Sequence, residues 1–139
     1  MKKIIIIFLF SMVLVIAQEK LDWIVFGSGI SGKPGKNVKL IDSLVIDEEI
    51  ETIRDLIYSD NVAVKCLSSI VLEVLEEKDI IALEKEEKLQ IEYVFSSQDR
   101  IYYLFGCNDD AIILTIPMFL SLHKNQAIER YTYLIDEFY

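Results

Sequence analysis

The chain has 139 residues, of which 23 are acidic and 14 are basic, for a net charge of −9. This balance disfavours nucleic acid and anionic membrane surfaces as partners, because both attract clusters of lysine and arginine. A basic protein partner is compatible with it, although acidic surfaces also serve solubility alone. The length allows one domain with a substantial hydrophobic core.

Residues 1–17 have the three parts of a secretory signal. Lys2 and Lys3 give the positive start, residues 4–16 are apolar but for one serine, and short side chains follow. An uncleaved anchor is the alternative, but the apolar run is shorter than the about 20 residues that cross a bilayer. The sequence therefore predicts a periplasmic or extracellular protein, similar to bacterial exported proteins, that does not insert in the membrane after signal cleavage. Removal of two lysines leaves twelve basic and 23 acidic residues, a net charge of −11.

A glycine-rich stretch follows a short apolar run. Its glycines fit the G-x-G-x-x-G pattern of dinucleotide-binding loops, and its last glycine with the next lysine approaches a phosphate loop: they are Gly27, Gly29, Gly32 and Lys33. Both motifs need a helix to start directly behind the glycines, and Pro34 and Gly35 oppose such a start. We therefore predict a flexible N-terminal arm over residues 18–37, no cofactor, and one compact α+β domain over residues 38–139.

The clearest pattern in the domain is a helical hairpin over residues 47–58 and 62–77, joined by a short polar turn. Three acids at 47–49 suit the first turn of a helix. Apolar residues then recur at three- and four-residue spacing in both segments, which gathers them on one face of each helix. They are Ile46, Ile50, Ile53 and Ile57, followed by Ala63, Leu67, Ile70, Val71, Val74 and Leu75.

This hairpin resembles a single HEAT-type repeat. The family pattern is two helices around a short polar turn, with a Val-Arg-like pair entering the second helix, and here Lys65 takes the place of the arginine. The residues that carry the resemblance are Ile53, Leu56 and Ile57, the Ser59-Asp60-Asn61 turn, and Val64, Lys65, Ser68 and Leu72. The resemblance implies a helical-hairpin geometry and a role in protein binding.

The remaining elements complete a mainly helical α+β fold. We predict a third helix at 83–96, a β-hairpin of strands 100–106 and 111–116, and C-terminal helices at 116–122 and 125–138. Thr115 and Pro117 suit the start of the first C-terminal helix, and Asn125 would cap the second. Alternation along the first strand places Tyr102 and Tyr103 on opposite faces, one of them in the core.

Few residues suggest chemistry. Cys66 and Cys107 are the only cysteines, and either a disulfide joins them, as an oxidising compartment allows, or Cys66 is a buried thiol. His123 is the single histidine, and an exposed position at a helix end is the favoured interpretation. The polar loop at 108–110 could offer oxygens to calcium, but a hairpin turn needs the same residue types. The sequence thus predicts no catalytic, cofactor-binding or metal-ligating residues.

These observations favour an exported, non-enzymatic protein-interaction module of unknown protein partner, with an inhibitor or immunity-type protein as its specific form. The alternative is a small envelope hydrolase with a site near Cys107 and His123, for which Asp109 would have to lie within hydrogen-bond reach. A structural accessory of the cell envelope without a discrete site is the third hypothesis.

Overall fold

The computed structural model describes residues 22–27, 32–105 and 110–139. Its elements are β1 (Trp23–Ile24), α1 (Lys36–Ile46), α2 (Ile50–Leu56), α3 (Val62–Glu77), α4 (Lys85–Ser96), β2 (Arg100–Phe105), β3 (Asp110–Thr115) and α5 (Ile116–Phe138). The predicted class, mainly helical α+β, is confirmed. Within those ranges, no helix has the length and apolarity that a membrane span needs. The predicted signal lies outside the described residues.

Helix α3 is the centre of the core. Eleven of its sixteen residues are buried, and it packs against α1, α2, α4 and α5. Its start is fixed by Asn61, whose side-chain oxygen accepts a hydrogen bond from the Val64 N–H at 3.0 Å. Ile53 of α2 and Ile57, which directly follows α2, are fully buried beside it. The predicted pair of helices is therefore confirmed. Its apolar stripes face inward except at Ile46, which is the last residue of α1 and is exposed.

The start of the hairpin differs from the prediction. Helix α2 begins at Ile50, whereas Asp47 ends α1 and Glu48 adopts a positive φ of 56°. The acids at 47–49 therefore form the connection between two helices and do not form a first turn. The reason is the preceding segment, where Val38 and Val45 belong to a separate buried stripe that makes α1 a helix of its own.

The prediction of a flexible arm is wrong for the described part of residues 18–37. Trp23 and Ile24 form β1, which runs parallel to β2 and pairs with Tyr102 and Tyr103. The three residues Ile24, Val25 and Phe26 are buried. The compact domain therefore begins before residue 38, because a partner strand distant in sequence holds this segment.

The β-hairpin is confirmed. Strands β2 and β3 are antiparallel with an unbroken register from Arg100 opposite Thr115 to Phe105 opposite Asp110, and the loop at 106–109 lies outside the described residues. Tyr103 is buried and Tyr102 is partly exposed, as alternation predicted. The sheet thus has one face in the core and an outer face.

The C-terminal helices are one continuous helix, α5, so the predicted break at 123–124 and the Asn125 cap are wrong. One face of α5 is buried and has a residue at every fourth position, namely Phe119, His123, Ala127 and Tyr131. Of these, His123 packs against Tyr103 and the other three are fully buried. The stripe is continuous through the polar stretch, which explains why the helix does not end there. Thr115 and Pro117 do form the start of the helix, as predicted.

Candidate functional site

A surface cleft of about 430 Å³ lies between α2 and the start of α4. We call it the acidic cleft, and its lining residues are Glu51, Arg54, Asp55, Tyr58, Ala82, Glu84, Glu86 and Glu87. Five carboxylates and one guanidinium give this lining a net formal charge of −4. Such a concentration of one sign in a concave surface strengthens the local potential for an oppositely charged group.

Arg54 fixes the floor of the acidic cleft. It lies in the last turn of α2, and its Nη1 donates a hydrogen bond to Glu87 Oε1 of α4. Its Nη2 donates to the Ala82 carbonyl oxygen at 3.2 Å, while Glu87 Oε2 accepts from the Glu84 N–H at 2.7 Å. Arg54 therefore ties α2 to the first turn of α4, where negative charge is also favoured by the helix dipole.

The electrostatics of this pair follow from its contacts. Burial alone would raise the pKa of Glu87, but the hydrogen bonds from Arg54 and the Glu84 N–H hold it below its usual value. The hydrogen bond to Glu87 in turn raises the pKa of Arg54. Both side chains are therefore ionised at neutral pH. Arg54 has the only guanidinium among the lining residues, and this group is already paired with Glu87.

The rim of the cleft carries the carboxylates that remain accessible. The Glu51 side chain is 91% exposed, although Oε1 lies 3.5 Å from Arg54 Nε. Asp55, Glu84 and Glu86 are also exposed, and Tyr58 is exposed at the end of α2. A cation that enters the cleft would therefore meet several carboxylate oxygens and an aromatic ring.

The rim suits an organic cation better than a metal ion. Among the described residues, no group of three or more His, Cys, Asp or Glu side chains is arranged to hold a metal. A guanidinium accepts bidentate pairing with one carboxylate and further bonds to its neighbours, and it stacks on aromatic rings. The arrangement can therefore recognise arginine or lysine side chains.

His123 is not exposed at a helix end, as the sequence predicted. It lies in the middle of α5, and its imidazole packs against Tyr103 with ring centroids 4.0 Å apart and against Phe119 at 5.8 Å. Burial lowers the pKa of His123. The Tyr103 hydroxyl donates a hydrogen bond to Gln126 Oε1 at 2.8 Å. His123 thus belongs to an aromatic cluster between α5 and the inner face of the sheet.

Of the two cysteines, the structure describes only Cys66. Cys66 is a fully buried thiol of α3, and burial raises its pKa to about 12, which suppresses the nucleophilic thiolate. Cys107, Asn108 and Asp109 lie outside the described residues. The disulfide between Cys66 and Cys107, the calcium loop and the hydrolase site near Cys107 and His123 therefore stay hypotheses.

The glycine-rich stretch is followed by a helix after all. Helix α1 begins at Lys36 with Gly35 as its N-cap, so the expectation that Pro34 and Gly35 prevent a helix is wrong. The glycines have a packing role here. A Cβ atom on Gly27 would lie 2.8 Å from the Gly32 carbonyl oxygen, and one on Gly35 would lie 2.9 Å from Val25 Cβ. Close backbone approach therefore accounts for both positions.

The sequence did not indicate the acidic cleft, because charged residues at 84–87 are also typical of a solvated helix face. A signal was present in Glu51 and Asp55, which lie four residues apart and so on one helix face. What the sequence lacked was the pairing of α2 with α4 through Arg54 and Glu87, which are 33 residues apart.

Comparisons of this chain with protein-family models, with curated proteins and with solved structures find no match. The resemblance of residues 47–77 to a HEAT-type repeat therefore stays a prediction.

Proposed function

We propose that the chain is an exported, non-enzymatic protein-interaction module that binds a basic segment of a partner protein in the acidic cleft. The observation that carries this proposal is the net charge of −4 around a cleft whose only guanidinium is already hydrogen-bonded to Glu87. The remaining carboxylates of the cleft therefore carry negative charge that Arg54 does not neutralise, and a basic segment of a partner can pair with them.

The exposed side chains at the rim of the cleft determine which groups of a partner it can bind. Glu51, Asp55 and Glu86 offer acceptors on both sides of the cleft, and Tyr58 offers a ring for a guanidinium to cover. The chain as a whole carries −9, so a basic partner is also steered toward it from a distance. An acidic protein that covers a basic surface of an enzyme is the inhibitor or immunity type of module.

Two sequence features support the rest of the proposal. Residues 1–17 have the composition of a secretory signal, which favours a periplasmic or extracellular partner. The resemblance of residues 47–77 to a HEAT-type repeat favours protein binding, since α2 belongs to that stretch and supplies three of the lining residues of the cleft.

The test is the affinity of an arginine-rich peptide for the chain, measured by fluorescence anisotropy. We compare Glu51→Gln/Asp55→Asn/Glu86→Gln with a control that removes the same charge from exposed positions outside the cleft. That control is Glu77→Gln/Glu129→Gln/Glu137→Gln. Exposed ion pairs contribute about 0.5 kcal/mol each, so the cleft variant should lose about tenfold in affinity. The control should lose less than about threefold through the weaker long-range attraction.

Equal losses in the two variants would show that the peptide responds only to net charge, and the proposal would then be abandoned. Raising the salt concentration should weaken binding to the native chain more than binding to the cleft variant, because the interaction is between exposed charges.

A further inference from the structure

In the part of the chain that the structure describes, strand β3 is an open edge of the sheet. The strand order is β1-β2-β3, and among the described elements β3 packs mainly against β2 and α5. The Tyr102 N–H donates to the Asp22 carbonyl oxygen at 3.2 Å, on the β1 side of β2. Tyr102 and its partner Ile113 are therefore a non-hydrogen-bonded pair of the β2–β3 ladder.

The backbone of β3 consequently presents a regular set of groups at its free edge. The N–H and C=O of Ile113 point away from β2, and those of Ala111 and Thr115 do so as well, because the direction alternates along a strand. The Thr115 carbonyl is taken by the first turn of α5, since an N-cap carbonyl accepts the first helical hydrogen bond. The remaining groups are arranged about Ile113 as their centre.

This edge has little of the usual protection against pairing with another strand, because the one charged residue of β3, Asp110, lies at its start. Residues 111–115 contain no charged residue and no proline, and the one-to-one register with β2 leaves no bulge. Ile113 is 54% exposed at its centre. In a chain with 23 acids, the stretch 111–128 contains none. Two acidic molecules can therefore approach each other here without carboxylates meeting.

We propose that β3 pairs antiparallel with β3 of a second copy of this chain, with Ile113 on the two-fold axis. In this register Ile113 exchanges both backbone hydrogen bonds with Ile113 of the other copy. Each Thr115 N–H donates to the Ala111 carbonyl oxygen of the other copy. In this register only the Ala111 N–H of each copy lacks a partner, because the Thr115 carbonyl is taken. A shift that places Ile113 opposite Ala111 leaves the Thr115 N–H unpaired instead and gives up the direct contact between two exposed isoleucines, so the centred register is the more favourable one.

Side chains fit the same symmetry. A two-fold axis perpendicular to the sheet keeps the outer faces of both sheets on one side. The outer row of Trp23, Tyr102 and Ile113 therefore continues into the same row of the other copy. Trp23 and Tyr102 are already stacked, with ring centroids 5.5 Å apart. A preformed strand also loses little conformational entropy on pairing, which favours a second copy over an unfolded peptide.

The interface consists of one strand pair and is smaller than the about 800 Å² per partner of a standard complex. The dimer should therefore dissociate on dilution. In sedimentation equilibrium of the native chain, the apparent mass should rise toward twice the monomer mass as the concentration increases through the micromolar range. Ile113→Lys should remain a monomer, because two added charges would face each other on the axis.

The matched control is Leu89→Lys, since Leu89 is 56% exposed on α4 and the charge change is the same. It should dimerise like the native chain, and circular dichroism should show that both variants are folded. A native chain that stays monomeric over the whole concentration range overturns the proposal. An equal loss of dimer in both lysine variants overturns it too.

Disulfide trapping tests the register directly. Residues directly opposite in a hydrogen-bonded pair have Cα atoms about 5.5 Å apart, within the range that a disulfide spans. In a Cys107→Ser background, Ile113→Cys should form a covalent dimer on mild oxidation. Ala111 is also exposed but lies opposite Thr115, so Ala111→Cys should not cross-link to itself. Equal cross-linking of the two variants, or none with Ile113→Cys, rejects the centred pairing.

Discussion

Replacing Arg54 with methionine separates the ionic contribution of this residue from its packing, because methionine keeps an apolar stem of similar length. The change leaves the Glu87 carboxylate, whose side chain is only 11% exposed, with the Glu84 N–H as its remaining partner. Removing one partner of a fully buried ion pair costs about 3–5 kcal/mol. Arg54 is 19% exposed and Glu87 keeps one hydrogen bond, so we expect a loss of about 2–3 kcal/mol. For a domain of this size that lowers Tm by about 8–12 °C.

The loss of stability caused by Arg54→Met should depend on pH. In the native chain the pKa of Glu87 lies below its usual value of 4.5. The ionised Glu87 therefore stabilises the folded state above pH 4.5, and this stabilisation is lost as the pH falls through the lower folded pKa. Without Arg54, burial dominates and raises the pKa of Glu87. The folded variant then gains stability from protonation of Glu87 as the pH falls. The difference in unfolding free energy between native chain and variant should therefore shrink from pH 7 to pH 4.

Urea unfolding at pH 7, 5 and 4 measures this difference. Arg54→Met/Glu87→Gln should recover most of the loss at pH 7, because no unpaired charge is left buried. Lys78→Met is the control, since Lys78 pairs at 2.5 Å with Asp136, which is 62% exposed. It should cost under about 1 kcal/mol. If Arg54→Met costs no more than Lys78→Met, or if its effect does not diminish in acid, Arg54 does not hold Glu87 as described.

Two further perturbations probe the core and the aromatic cluster. Leu67→Ala removes a fully buried side chain of α3 and should cost about 3 kcal/mol in urea unfolding, whereas Leu122→Ala, which is 63% exposed, should cost under about 0.5 kcal/mol. A similar cost for both would mean that α3 is not the centre of the core. His123→Phe should abolish a decline in stability that the native chain shows as the pH falls below 6.5: the folded pKa is lowered by burial, so the unfolded chain binds the proton more readily. A native chain whose stability is constant between pH 7 and pH 5 would contradict the burial of His123.

The parts of the fold that the sequence predicted correctly are those set by local periodicity. The apolar stripes that include Ile53 on α2 and Leu67 on α3 repeat every three or four residues. The strands at 100–105 and 110–115 are rich in β-branched and aromatic residues. Both signals lie within one element and need no knowledge of its neighbours. The pairs α2–α3 and β2–β3 were therefore predictable.

The errors have a common physical origin in contacts between distant segments. Trp23 and Ile24 form a strand only because β2 lies beside them, and a two-residue strand has no periodicity to detect. The polar neighbours of His123 suggested the end of a helix, but its imidazole packs against Tyr103 of β2. Local composition cannot report such partners.

The acidic cleft was missed for the same reason. The acids of α4 looked like an ordinary solvated face until Arg54 brought them opposite Glu51 and Asp55. Positions four residues apart on α2 could have suggested an acidic helix face, but no local rule indicates which other helix it faces. Predicting this site from sequence would have required the pairing of α2 with α4.

The parallel pairing of β1 with β2 constrains the order in which the molecule can assemble. Trp23 and its partner Tyr102 are 79 residues apart, and four helices lie between them. Closing a loop of that length costs about 4 kcal/mol in chain entropy before any pairing is gained. A nascent chain emerging from the ribosome holds the buried Ile24, Val25 and Phe26 without their strand partner until residues beyond 100 have been made. Helix α1 can contact this segment early, through Gly35 and Asn37, but its strand partner is missing during most of the synthesis of the protein.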